Sequence, residues 1–504
     1  MFDISSVFTH LKKHFTWRDI LITALLGATY CISRLYHIHL LPIFNDEGIY
    51  IRWAKVAWHD ASWRFISLTD GKQPLQTWGT IPFLKLFPND ALLAGRLFSV
   101  ATGLFGLMGL ILLLWYVFDK RTAYIGALLY IFSPYFLFYD RMAMVDSGVN
   151  AFFIWILLFS IILVRTVRLD VALVFGIIAG FGLLAKSSVQ MFVGMSFVTS
   201  LALFDYKKRK LSGLVSYIML FGLAFGMSQL IYNIQRLSPF MHYIAEKNTT
   251  FVMTFGEWLH NPFAVFFSNL TTVPYYVFSE SGWVVVPFAL VGLYLLLRKN
   301  MRLFWYFALW IAIPYGGIAA LTRVLFPRYI IFFGTLLTIL TAYTLGKIEN
   351  TKIRAALLSM TLAVLMIFQY PMWTNYTHII FPPTDRGQYI DGVTVGVGVK
   401  EIMDYARTKS AEKPVIIMAE GNFGLVGDLL DTYLHPSDTN IRIEGYWPLN
   451  KSDLLARQKD LTSSYVFVVT AHQVAIPADW PVRLIHSYYK TSHTSVIHLL
   501  ELTR

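Results

Sequence analysis

A single cysteine, Cys31, among 504 residues leaves this chain no intramolecular disulfide and no cysteine-based metal cluster. Charge is scarce as well: Asp, Glu, Lys and Arg make up 14% of the residues, with 30 acids against 42 bases. A chain that is 56% hydrophobic and so poor in charge is not a soluble globular protein. No cleavage-site pattern follows a short apolar core near the start. Met1 to Arg18, with Lys12, Lys13 and Arg18, reads as a cytoplasmic flank and not as a signal peptide. No internal repeat is visible.

What the chain has instead is long apolar runs. A spanning helix needs about 20 mostly apolar residues, and about eleven such segments are present, near 18–39, 91–118, 122–138, 147–167, 171–185, 188–205, 211–232, 281–297, 303–321, 325–346 and 355–373. The expectation is therefore a polytopic α-helical membrane protein with about 11 transmembrane helices over residues 1–373. Those at 122–138 and 171–185 are the shortest.

Basic residues orient it. With the N-terminus cytoplasmic, Lys120-Arg121, Arg165 with Arg168, Lys207-Lys208-Arg209-Lys210, Arg298 with Lys299 and Arg302, and Lys347 with Lys352 and Arg354 all fall on the inner side. Arg34 is the exception, near the outer end of the first span. This pattern accounts for most of the net charge of +12, so no nucleic acid partner is needed to explain it.

The opposite face receives the polar residues. Its first loop, about 41–90, contains Tyr50 to Trp63, whose Trp53, Trp58 and Trp63 suit an amphipathic helix lying on the membrane. Residues 374–504 have ordinary charge and shorter apolar runs, and read as a soluble, extracytoplasmic α/β domain. Strands are expected at 414–419, 465–470, 482–489 and 495–502, with helices at 399–407 and 422–430. The segment Gly392 to Gly398 does not follow a strand with dinucleotide-fingerprint spacing and reads as a flexible entry to a helix. This domain is expected to cover the mouth of the site and to influence acceptor choice.

Asp46-Glu47 stands out in a chain so poor in acids. Carboxylates near hydrocarbon are costly and call for a compensating use. One use is plain: acids favour helix N-termini, and a helix could start near Gly48. Lys72, on the turn Asp70–Leu75, could meet a phosphate or simply snorkel. Arg141 and Asp146 could pair with each other, and Arg323 and Arg328 could clamp phosphate or anchor a loop to headgroups. Together, acids and separate cations facing one compartment suit group transfer from an anionic lipid carrier, a carboxylate acting as base and cations neutralising the departing phosphate.

Six ordered motifs make this specific: Asn45-Asp46-Glu47, Gly71-Lys72-Gln73-Pro74-Leu75, Gly95-Arg96-Leu97-Phe98-Ser99, Tyr139 to Asp146, Leu184-Ala185-Lys186-Ser187 and Phe326-Pro327-Arg328-Tyr329. Over roughly the first 350 residues the chain resembles the protein O-mannosyltransferase superfamily, which includes the lipid A aminoarabinose transferase and has the GT-C glycosyltransferase fold. The resemblance implies inverting transfer from a polyprenyl-phosphate sugar to a glycan, lipid or protein acceptor, in a bacterial inner membrane. It makes Asp46 the candidate base or acceptor-positioning group, Glu47 its partner and Asp146 the acid near sugar or acceptor. Lys72 matches the lysine that meets the lipid phosphate. Arg141 and Arg328 are supporting cations, and Lys186 and Tyr329 join them as substrate-binding candidates. Gln73 replaces a family proline and Ser187 a family glycine.

The oligosaccharyltransferase branch of this fold uses a divalent ion, whereas mannosyltransferase-like members generally do not. Asp46, Glu47 and Asp146 could offer Mg or Mn an oxygen-rich site, but catalysis without a metal is preferred here. Two other functions share the same inventory: a flippase or transporter, and a polymerase or ligase, of lipid-linked glycans. Transporters often show repeats and broken midplane helices, whereas these acids cluster at the outer boundary.

Overall fold

A computed structural model describes residues 16–207 and 209–504; Lys12, Lys13 and Lys208 lie outside the described residues. Each of the eleven apolar segments contains helix, yet the count of spans is lower than expected. Among the described residues six helices are long and apolar enough to cross a membrane: Ala91–Val117, Asp146–Thr166, Leu211–Leu237, Met301–Leu321, Pro327–Lys347 and Thr351–Thr374. Two bent pairs raise this to eight if each is one span: Lys120–Ile131 with Pro134–Asp140, bent by 62°, and Phe266–Glu280 with Val285–Lys299, bent by 109°.

The shortfall has physical causes. Trp17–Leu35 carries Arg18, Asp19 and Arg34 within its 19 residues. Leu169–Ala185 and Val189–Leu203 are apolar but short. Arg34, which broke the charge pattern, is fully buried and bonded within the protein. Its Nε lies 3.2 Å from Asp140 Oδ2, and its Nη1 donates to the Ile131 carbonyl at 2.6 Å. It is a structural cation and carries no information about the side of the membrane.

Asp146–Thr166 and Pro327–Lys347 lie at the centre of the bundle, almost wholly buried, whereas Leu211–Leu237 and Thr351–Thr374 leave most of their apolar surface uncovered. That surface suits lipid rather than water.

The last part of the chain folds around a five-stranded sheet. Its strands are β1 (Val415–Glu420), β2 (Ile441–Tyr446), β3 (Tyr465–Thr470), β4 (Val482–Tyr489) and β5 (Val496–Leu502), in the order β2-β1-β3-β5-β4. β1 runs parallel to β2 and β3, while β5 is antiparallel to β3 and β4. Strand β2 was not expected from sequence. It is an edge strand in which only Ile441 is buried, so it lacks the apolar run that marks the others. The helix expected at 422–430 is Val426–Thr432, because Gly421 and Gly424, both with positive φ, hold the preceding residues in a turn.

The sheet domain shares a core with the segment 43–54. Ile43, Ile51 and Ala54 pack with Val399, Ile402, Leu429 and Leu430. The helix Asn45–His59 therefore lies against the domain, with Tyr50 and Trp53 buried, and is not the membrane-surface helix expected for Tyr50–Trp63. Gly48 permits this contact, since a Cβ there would stand 3.2 Å from the Asp428 backbone. The segment Gly392–Gly398 is likewise held and not free. Gly396 N–H donates to the Ile43 carbonyl at 2.8 Å and Asn45 N–H to the Thr394 carbonyl at 3.0 Å.

Candidate functional site

Asp46 and Glu47 occupy the first turn of Asn45–His59 and have different fates. Glu47 accepts the Phe44 N–H at 3.0 Å, tying off the helix start. The same carboxylate accepts Arg96 Nε and Nη2, each at 2.9 Å, and the Ala143 N–H at 2.8 Å. Neither Glu47 nor Arg96 has any exposed side-chain surface. This corrects the place given to Glu47: its acceptor sites are spent on structure, and nothing from solvent reaches it. Gly95 makes the pairing possible, since a Cβ there would stand 2.8 Å from both Ala143 Cβ and Ile51 Cγ1.

Asp46 faces the other way. Lys72 Nζ lies 3.3 Å from its Oδ1 and Arg328 Nη2 3.0 Å from its Oδ2, with 26% of the Asp46 side chain exposed. Burial raises its pKa, but the charges of Lys72 and Arg328 outweigh that and hold the carboxyl well below the usual carboxylate range. Local backbone explains the delivery of each cation. Gly71, at φ +65°, closes the 3-10 turn Ile66–Asp70 and turns Lys72 inward; a Cβ there would stand 2.5 Å from the Tyr243 carbonyl oxygen. Arg328 sits in the turn Pro327–Ile330 that opens a central helix. Lys72 also lies 3.5 Å from Asp70 and 5.2 Å from the Tyr50 ring centre.

A second ion pair stands beside the first. Asp146, the first residue of Asp146–Thr166, accepts from Lys186 Nζ at 3.0 Å. Lys186 Nζ lies 4.1 Å from the Tyr329 ring centre. The neighbouring Arg328 is near enough to feel the charges of both Asp46 and Asp146. The structure thus brings Asp46, Lys72, Asp146, Lys186, Arg328 and Tyr329 together from five separate stretches of chain.

Arg141 is not among them. Its Nη2 donates to the His37 carbonyl at 2.7 Å and its Nη1 to the Met372 carbonyl at 2.8 Å. It therefore fastens the end of Thr351–Thr374 to the chain leaving Trp17–Leu35, and forms no pair with Asp146. Arg323 pairs with Glu257 at 2.6 Å, outside the cluster. As ligands for a divalent ion, Asp46, Glu47 and Asp146 do not fit together. Each faces its own cation, and among the described residues no group of three or more His, Cys, Asp or Glu could hold a metal.

Several partners carried no usable signal in the sequence. Tyr389 O–H lies 3.5 Å from Arg328 Nη1, and its ring stacks edge-on against Phe44. Asp385, fully buried, accepts from the Tyr139 O–H and has Glu280 beside it. These residues lie far from the recognisable motifs, and Asp385 and Tyr389 fall in the stretch that reads as a soluble domain. Arg96 stood inside a quoted motif, where an arginine in a chain interior could have been matched to a buried acid.

Residues 72–232, about a third of the chain, match the family of dolichyl-phosphate-mannose-protein mannosyltransferases. No curated protein matches the chain. Among solved structures it is similar to ArnT from Cupriavidus metallidurans. The form bound to undecaprenyl phosphate has 14% identity over 95% of this chain and 97% of that one, with a TM-score of 0.62; the apo form has the same identity and coverage, with a TM-score of 0.57. It is also similar to the archaeal oligosaccharyltransferase AglB from Archaeoglobus fulgidus in complex with an inhibitory peptide and a dolichol-phosphate. There identity is 11% over 90% of this chain and 69% of that one, with a TM-score of 0.53. At such identities the likeness is one of fold, and it extends over nearly the whole chain. The chain is thus similar to the dolichyl-phosphate-mannose-protein mannosyltransferases over residues 72–232, and similar in fold to ArnT and AglB over nearly its whole length.

Proposed function

We propose that the protein transfers a sugar from a polyprenyl-phosphate carrier to a hydroxyl of a lipid, glycan or protein acceptor, on the extracytoplasmic face of a bacterial inner membrane. The observation that carries this reading is the meeting of Lys72 and Arg328 on Asp46. The donor's phosphodiester carries one negative charge, as the carboxylate does, and shares the two cations with Asp46; the second charge that develops on the departing monoester strengthens their hold on phosphate. Sharing the cations weakens their grip on Asp46, whose pKa then rises toward a value useful to a base. The match to a family of dolichyl-phosphate-mannose users and the fold of an undecaprenyl-phosphate binder support a lipid phosphate as the donor's leaving group.

The chemistry follows as one displacement with inversion. The acceptor oxygen attacks the anomeric carbon, and its proton passes to the Asp46 carboxylate. The bond from that carbon to the phosphate oxygen breaks with its electron pair, and polyprenyl phosphate departs with its negative charge held by Lys72 and Arg328. Lys186 and Asp146 line the neighbouring space, where Asp146 accepts hydrogen bonds from sugar or acceptor and Lys186 adds a third cation. Charge stabilisation comes from these side chains, and no divalent ion is invoked.

The test is purified protein in bilayers, given polyprenyl-phosphate and polyprenyl-diphosphate sugars with candidate acceptors. The expected product is the bare monophosphate lipid, with inverted linkage on the acceptor. Asp46→Asn should lower transfer by about 10²–10⁴-fold and leave thermal unfolding near that of the parent. Near-normal turnover by this variant would remove Asp46 as base. Movement of intact donor across the bilayer without cleavage would replace the transferase with a flippase.

A further inference from the structure

At the opposite end of Asp146–Thr166 from Asp146, about 30 Å away along a 21-residue helix, lies a cavity of about 380 Å³. Three basic stretches that the charge pattern assigns to one face meet there: Arg165 in the last turn of Asp146–Thr166, Arg209 just before Leu211–Leu237 and Arg302 in the first turn of Met301–Leu321. Asp205 is the acid in its lining, so the wall carries an excess of cations. Asp205 lies 3.3 Å from Arg302 Nη2. The Arg165 guanidinium rests 5.2 Å from the Tyr116 ring centre.

Helix ends add to the positive field. Met301–Leu321 starts at the cavity, capped by Asn300, whose Oδ1 accepts the Leu303 N–H at 3.2 Å. The positive end of that helix thus faces the cavity. The end of Asp146–Thr166 would bring the opposite sign, but Arg209 Nη2 donates to the Arg165 carbonyl at 2.5 Å and offsets it. Leu203 gives the wall an apolar component next to helix surface that suits lipid.

We propose that this cavity binds a phosphate group, presented as the headgroup of an anionic lipid in the leaflet remote from the Asp46 cluster. A guanidinium fork matches phosphate oxygens in geometry and charge, and basic pockets between helices on the cytoplasmic side are where anionic headgroups are held. The volume is that of a small-ligand pocket, larger than inorganic phosphate fills. The inference does not depend on which sugar or acceptor the protein uses, since none of these residues belongs to the Asp46 cluster.

Native mass spectrometry of the full-length protein, released from nanodiscs of mixed phosphatidylglycerol and phosphatidylcholine, reads out retained lipid directly. The parent should retain phosphatidylglycerol in preference to phosphatidylcholine. Arg165→Gln and Arg302→Gln should each lower that retention by about fivefold, as expected for one charge near a membrane surface. Asp205→Asn should raise it, a direction that misfolding does not imitate. A parallel titration of detergent-solubilised protein with inorganic phosphate, read by thermal unfolding, separates the two sources of the group. A shift with phosphate alone, lost in Arg165→Gln, supports the phosphate site and assigns its ligand to the aqueous phase. No preference for phosphatidylglycerol and no response to phosphate in the parent, or equal retention by the parent and all three variants, overturns the proposal.

Discussion

Arg328 Nη2 stands 3.0 Å from one oxygen of Asp46 while Lys72 Nζ stands 3.3 Å from the other. In this state the carboxylate is a stable anion and a weak base. Its pKa in the folded chain lies below the ordinary value near 4, so the ion pairs are intact above about pH 4 and fail only as pH falls further. The profile of kcat/KM reports the free enzyme and that of kcat the substrate complex. The acid limb of kcat/KM should therefore lie at lower pH than that of kcat, in which the donor phosphate shares the cations with Asp46. Lys72→Met should lower kcat by about 10²–10³-fold and move the acid limb of kcat/KM upward. An unmoved limb would mean that Lys72 does not set the charge of Asp46.

Glu47 should behave as a structural residue. Removing one member of a buried ion pair leaves its partner uncompensated and costs about 3–5 kcal/mol, so Glu47→Gln should unfold at much lower temperature than the parent. The double variant Glu47→Leu with Arg96→Met removes both charges and should recover part of that loss. Thermal unfolding of the parent, Glu47→Leu, Arg96→Met and the double completes the cycle. If Glu47→Gln retained full stability while losing transfer, Glu47 would belong with the reacting groups instead.

How far the sequence reveals this arrangement differs from residue to residue. Asp46, Lys72, Asp146, Lys186, Arg328 and Tyr329 sit in motifs close to helix ends, where local turns fix where they point. Their convergence was legible because each sits in a motif in one of the segments that join the apolar runs, or at the end of such a run. Glu47 was misread because adjacent residues on a helix point about 100° apart, and nothing local tells which of two neighbouring acids meets Arg96. Arg141 was misread for a related reason: its partners are carbonyls of Tyr36, His37 and Met372, and carbonyls leave no mark in a sequence. The count of eleven spans is not confirmed, because helix bends, short helices and buried charges leave six to eight segments long and apolar enough to cross among the described residues. The sheet was legible except for its edge strand β2, which has one apolar face at most.

The C-terminal domain also changes how its role can be probed. Arg52 Nη1 lies 2.6 Å from Asp428 Oδ1, and Asn45 Nδ2 donates to the Gly424 carbonyl at 2.7 Å. Deleting the domain would strip the helix that carries Asp46 of its packing, so loss of activity on truncation would not report acceptor choice. The point variant Arg52→Gln is better suited. It should lower transfer modestly, through looser placement of Asp46, and leave the relative rates with different acceptors unchanged. Steady-state rates with two acceptors check this.

Chelation separates the side-chain mechanism from one built on a divalent ion. With Lys72, Arg328 and Lys186 supplying the positive charge at the site, transfer by the protein should persist in excess EDTA and show no stimulation by Mg or Mn. Loss of turnover in EDTA, restored by either ion, would require carboxylates to leave their present cations, Asp46 from Lys72 and Asp146 from Lys186.

Asp385 gives the protein a pH dependence of its own. Burial pushes its carboxyl up to about 7, against the hydrogen bond from Tyr139 and the charge of Arg328, which favour the ionised form. Oδ1 of Asp385 and Oε1 of Glu280 have no hydrogen-bond partner of their own among the described residues, which suits two neighbouring carboxyls holding a proton between them. In the unfolded chain Asp385 would release its proton near pH 4, whereas the folded chain keeps it to about pH 7. Between those values the folded state binds more protons than the unfolded state, so stability falls as pH rises. Asp385→Asn keeps the position neutral at every pH. Unfolding temperature measured from pH 5 to pH 8 should decline in the parent and be flatter in the variant, with the variant gaining relative to the parent toward pH 8. Parallel curves for the two proteins would show that Asp385 is ionised throughout the folded state.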